Sequence, residues 1–173
     1  MATKFAYVER GYGQVEPNHL SAQRTAQIYA QLPMGAGIDQ LENGQFAKYD
    51  YENNEVNFAG EGEWMLVFNA VKVYDEDEDA ADYAMIRHAE GTKGAPVIGV
   101  STDVVPRLFK TNVGDIFTTN AIKVAAPAVG GVLAPDAEGC LDTATEDATM
   151  KWQIVKVYTM PDGQKGVKIM RIA

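Results

Sequence analysis

The sequence predicts an all-β fold, a small sandwich or barrel carrying an extended N-terminal arm. Three observations carry that expectation. Short runs of β-branched and aromatic residues recur between turn-forming dipeptides, the most regular segments alternate with a period of two, and there is little convincing helical period anywhere. At 173 residues the chain is of one-domain size and long enough to bury a core.

Residues 1–24 set Phe5, Tyr7 and Tyr12 among Gly11, Gly13, Pro17 and polar residues, and neither period survives for long. They predict an arm, followed by a β-rich domain over 25–173. Residues 21–32 fit two templates. Ala22, Ala26, Tyr29 and Leu32 make a helical stripe, whereas Ala26, Ile28, Ala30 and Leu32 alternate as a strand would. Pro33 and Gly35-Ala36-Gly37 end the segment under either reading.

From residue 41 the signals turn to β structure. Asn43-Gly44 is a tight-turn dipeptide, Phe46, Tyr49 and Tyr51 are β-favouring aromatics, and Asn53-Asn54 marks a second turn before Val56 and Phe58 alternate with polar neighbours. Residues 63–74, Glu-Trp-Met-Leu-Val-Phe-Asn-Ala-Val-Lys-Val-Tyr, open with a continuous apolar run and close in alternation. They predict a long strand, buried first and then half exposed. After the acidic run Asp75-Glu76-Asp77-Glu78-Asp79 comes a short apolar segment, Tyr83 to His88, then a loop with Gly91, Gly94 and Pro96.

Val97–Val100 and Val104–Phe109 are short β-branched runs, the second confined by Pro106 to an edge or a break. Val113-Gly114-Asp115 turns into a strand at Ile116–Thr119. Residues 125–149 mix Ala, Gly, Pro, Thr and Asp with few large apolar groups, and predict a long loop or insertion. Met150–Tyr158 and Val167–Ile172, joined by Pro161-Asp162-Gly163-Gln164, predict a terminal hairpin.

Charge excludes one class of function. With 15 Lys and Arg against 24 Asp and Glu, the chain carries a net charge of −9, the wrong balance for a nucleic-acid reader. The charge is also polar along the chain: −4 over residues 1–62, −6 over 63–103, −3 over 104–149 and +4 over 150–173. A basic hairpin on an acidic body suits head-to-tail packing between copies or docking on an acidic neighbour. A lysine-rich strand face equally serves solubility and edge protection.

Met1-Ala2-Thr3-Lys4-Phe5 lacks an apolar core of signal-peptide length, and no stretch approaches the roughly 20 apolar residues that span a bilayer. The expectation is a soluble protein made in a reducing compartment, with neither membrane nor nucleic acid as partner. A lone Cys140 excludes an intramolecular disulfide.

For thiol or imidazole chemistry the chain offers only Cys140, His19 and His88. Cys140 lies among Asp136, Glu138 and Asp142, whose charges raise a thiol pKa, the opposite of activation. His19 and His88 stand apart from any ligand or triad spacing. The acids from Asp75 to Asp82 are consecutive, without the alternation, sixth-position Gly and closing Glu of a calcium loop, so they predict a solvated loop. Gly11-Tyr12-Gly13 and Gly130-Gly131 lack the strand, helix and Lys-Ser or Lys-Thr of phosphate loops. No pair of carboxylates stands out for glycoside hydrolysis. The expectation is a protein without catalytic, cofactor or metal residues.

The arrangement Tyr7-Val8-Glu9-Arg10-Gly11-Tyr12-Gly13, then Leu41 to Asp50, then Val113 to Asn120 resembles small β-rich proteins of tailed-bacteriophage particles, closest in character to capsid decoration (cement) or auxiliary head proteins. The likeness covers residues 1–120. It implies a β-tulip or β-barrel-like body that binds the outside of an assembled capsid through its arm and loops, often as a trimer. The major capsid protein would be its partner, and the virion surface its location after assembly in the host cytoplasm. The acidic loop and segment 125–149 depart from the pattern. Two other readings remain open: a phage tail-tube or neck component, and a carbohydrate-binding module or hydrolase using aromatics and carboxylates.

Overall fold

The apolar run near residue 65 and the alternating C-terminal segments seed two antiparallel sheets. The computed structural model describes residues 4–8, 13–18, 27–38, 40–68, 85–86, 105–161 and 163–173. In chain order the strands are Val15–Glu16 (β1), Ile28–Tyr29 (β2), Gln40–Leu41 (β3), Phe46–Asp50 (β4), Glu55–Asn57 (β5), Met65–Val67 (β6), Met85–Ile86 (β7), Leu108–Phe109 (β8), Ile116–Thr119 (β9), Val132–Pro135 (β10), Leu141–Thr143 (β11), Trp152–Thr159 (β12) and Lys165–Arg171 (β13). A six-stranded sheet runs β1-β9-β13-β12-β10-β11, a five-stranded sheet runs β2-β8-β6-β4-β5, and β3 pairs with β7. Among the described residues there is no helix, and neither large sheet closes on itself. The all-β expectation therefore holds, as two open sheets and not as a closed barrel.

Alternation along the strands divides the core in two. Phe46, Leu66, Phe68 and Phe109 of the five-stranded side join Phe117, Leu133, Trp152, Ile154, Val167 and Ile169 of the six-stranded sheet in one cluster. Trp152 is fully buried, its ring 4.9 Å from Phe117 and 5.7 Å from Phe46 between centroids. Truncating so large a group to alanine would cost about 3–5 kcal/mol. The interleaved residues Ala47, Tyr49, Met65, Val67 and Leu108 face the other way, against Met34, Ile38, Leu41 and Val56. The five-stranded sheet is thus buried on both faces, which is why residues 64–68 read as a continuous apolar run instead of an alternating one.

Two expectations change. Residues 125–149 were expected to form a loop or insertion, yet they contain the hairpin β10–β11, whose Leu133 and Leu141 enter the main core. Its strands are short and built from small residues, so they carry little periodic signal. The described parts of the arm expected over 1–24 are packed: Phe5 and Tyr7 are buried, and Val15 and Glu16 of β1 pair with Thr119 and Thr118 of β9. The double-template segment 21–32 shows a strand at Ile28–Tyr29. The acidic run at 75–82, both histidines and the strand expected at 97–100 lie outside the described residues.

Candidate functional site

The terminal hairpin pairs as its alternation predicts, with one irregularity that decides which side chains face outward. Ile154 stands opposite Ile169, but the next partners are Lys156 and Lys168, so two residues of β12 oppose one of β13 at this step. The extra residue, Val155, is a β-bulge, and a bulge re-aims everything after it. With strict alternation Lys156 would follow the buried Trp152 and Ile154 onto the core face. Instead it joins an outward cross-strand row of Lys156, Lys168, Thr118 and Glu16, contributed by β12, β13, β9 and β1.

Tyr158 lies across this row. Its hydroxyl donates to Glu16 Oε2 at 2.5 Å and lies 2.8 Å from Thr118 Oγ1, while the Thr118 hydroxyl donates to Asn18 Oδ1 at 2.6 Å. Burial, and then the bond to Glu16, push the phenol above its ordinary pKa. Lys156 Nζ and Lys168 Nζ stand 5.1 and 5.7 Å from the Tyr158 ring centroid. Opposite Tyr158 is Gly166, where an added Cβ would come within 2.6 Å of Met160 Cγ. The glycine leaves that space to Met160.

A second feature is a groove of about 540 Å³ beside β10 and β11, lined by Trp64, Asp136, Asp142, Thr143, Thr145, Asp147 and Met150 among others. Its carboxylates are partly committed. Asp136 accepts N–H bonds from Glu138 and Cys140 and an ion pair from Lys123 at 2.5 Å, and Asp142 accepts the Thr143 N–H. Lys48 Nζ lies 4.6 Å from the centroid of the Trp64 ring. Among the described residues no group of three His, Cys, Asp or Glu side chains is placed to hold a metal ion.

Cys140 sits behind this turn, fully buried beside Phe5 and Ala121. Burial pushes its thiol up to about 12, against the opposing charges of Lys4 and Lys123 and with those of Asp136 and Glu138 adding to the rise. The acidic neighbourhood visible in the sequence is therefore real, but burial is the larger cause. One buried group escaped sequence reasoning. Glu42, 2% exposed, accepts the Gly13 N–H and the Gln40 side-chain amide, both at 2.9 Å, and burial raises its pKa. No local pattern marks it, because Gly13 lies 29 residues away. Comparison with family models, curated proteins and solved structures finds no match for this chain.

Proposed function

We propose that this chain is a non-enzymatic structural protein of a tailed-phage particle, a decoration protein that binds and stabilises the outside of the capsid. The observation that carries the reading is the manner in which the N-terminal segment is held. Side chains about a hundred residues away grip it: Asn120 Oδ1 accepts the Gln14 N–H at 2.6 Å, and the Thr119 hydroxyl donates to the Gln14 carbonyl at 2.5 Å. A binding protein without a catalytic step depends on distributed, pre-ordered surface, and this anchoring supplies order to a segment that the sequence alone leaves aperiodic. The all-β body agrees with the resemblance as well. Mass spectrometry of purified particles tests it: the chain should co-purify at a fixed ratio to the major capsid protein, and particles lacking it should lose stability on heating. Particles of unchanged composition and stability when the gene is deleted would refute it.

The Trp64 groove favours one other reading, a carbohydrate-binding module, because aromatic faces beside hydroxyl and carboxylate groups suit sugars. Glycan-array binding that is lost in Trp64→Ala would support it.

A further inference from the structure

We propose that the outer face of the six-stranded sheet, centred on Lys156 and Lys168, is a self-association surface that docks head to tail on the acidic surface of a second copy of this chain. The proposal stands on the bulge and on what surrounds the two lysines. Placing like charges directly opposite each other on one sheet face is unfavourable, and the extra residue at Val155 also interrupts the ladder. Both costs accompany the move of Lys156 from the core side to a place beside Lys168. Among the described residues no carboxylate lies within ion-pair distance of either ammonium. Glu16, at the far end of the row, is engaged by the Tyr158 hydroxyl. Among the described residues, then, neither lysine has a counter-charge.

The rest of the face suits a protein partner. Ile116 and Met170 are cross-strand neighbours here and only half buried, and the Tyr158 ring lies between the lysines and the edge strand. An aromatic and two apolar side chains beside paired cations form a small docking patch with charge for register. The occupant follows from charge complementarity. Residues 150–173 hold five basic side chains and one acidic, whereas the preceding 149 residues hold ten basic and twenty-three acidic. A second copy therefore offers a large excess of acidic over basic side chains. It cannot offer its own lysine face, because a twofold contact would set lysines against lysines, so the contact is heterologous.

Sedimentation velocity over a concentration series tests this. At about 0.01 M ionic strength, where the Debye length is about 30 Å, the wild-type chain should sediment increasingly above monomer as concentration rises; at about 1 M, where it is about 3 Å, it should return to monomer. Lys156→Glu with Lys168→Glu should be monomeric at low salt. The neutral pair Lys156→Gln with Lys168→Gln, which removes both charges and keeps a polar head, should weaken association about tenfold or more. Thermal unfolding of each variant, unchanged or raised, shows that the fold is retained. A wild-type chain that stays monomeric at low salt overturns the proposal, as does association that ignores salt or persists unchanged in both variants. Because the measurement involves no particle, a monomeric chain that still binds capsids would refute this surface and leave the decoration reading standing.

Discussion

Gly139 is where the β10–β11 hairpin meets the five-stranded sheet, and replacing it with alanine should cost far more than a glycine-to-alanine change usually does. Its φ is +70°, and a Cβ would run into the Phe46 carbonyl oxygen and come within 3.1 Å of Phe58 Cε1. The obstructing atom is backbone, so a rotamer change cannot relieve it. Three costs add. The left-handed backbone costs about 1–2 kcal/mol for a residue with a Cβ, overpacking about 1–3 kcal/mol, and strain on the 2.7 Å bond from Phe46 N–H to the Gly139 carbonyl about 1 kcal/mol. The sum is roughly 3–6 kcal/mol, a fall in Tm of at least about 6 °C at 2–4 °C per kcal/mol for a chain of this size. Gly130→Ala supplies the control. Its φ is +88° and nothing lies within 4 Å of the added Cβ, so it carries the backbone cost alone. Thermal and urea unfolding of both variants measure the difference directly. Equal losses would mean that the hairpin turn does not rest on β4, and the packing argument would fail with it.

Three further outcomes are expected. Cys140, buried and with its thiol held up to about 12, should resist a thiol-specific disulfide reagent at pH 8 until the protein is unfolded; rapid stoichiometric labelling of the native protein would contradict the burial. Tyr158→Phe removes the hydroxyl that ties Glu16 to the hairpin and should cost about 1–2 kcal/mol, with faster amide exchange at Val15 and Glu16; unchanged exchange there would separate the hydroxyl from the anchoring of β1. Glu42 has its folded pKa raised by burial, so its contribution to stability is greatest below the unfolded carboxylate value and is lost as pH rises through the folded value. Glu42→Gln can still accept the Gly13 N–H, and its stability relative to wild type should climb as pH rises from about 4 to 7. Urea midpoints showing the opposite slope would reverse the assignment.

The strands that sequence reasoning recovered are those whose partners impose a pattern on consecutive residues. Trp152 to Val157 and Val167 to Ile172 alternate because one face is core and the other is open, and 64–68 run apolar because β6 is covered on both sides. The features that escaped depend on distant partners. β10 and β11 are held by Leu133 and Leu141 entering a core assembled elsewhere, with Ala134 and Pro135 between, so composition alone favours a loop. The N-terminal segment owes its order to Asn120 and Thr119, more than a hundred residues away, and no periodicity can report bonds of that span. The groove at Trp64 has the same origin, since its lining comes from residue 64 and from residues 134–150.

The bulge shows how a small irregularity turns a charge count into a surface. Ile154 and Val155 are adjacent apolar residues in an otherwise alternating segment, and that break is visible in the sequence, but its consequence appears only with the register: Lys156, which follows it, faces away from the core beside Lys168. Among the described residues, three of the four broad faces of the two large sheets meet apolar clusters, namely both faces of the five-stranded sheet and the inner face of the six-stranded one. The fourth carries Lys156, Lys168, Tyr158, Met170 and Ile116, a mixture that a purely solvated face would not select, since half-buried Met and Ile gain little from water. A face that lysine alone was keeping soluble should tolerate Met170→Lys without consequence for assembly. A docking face should not, because the added cation sits where the partner would place apolar surface, and the same sedimentation series separates the two.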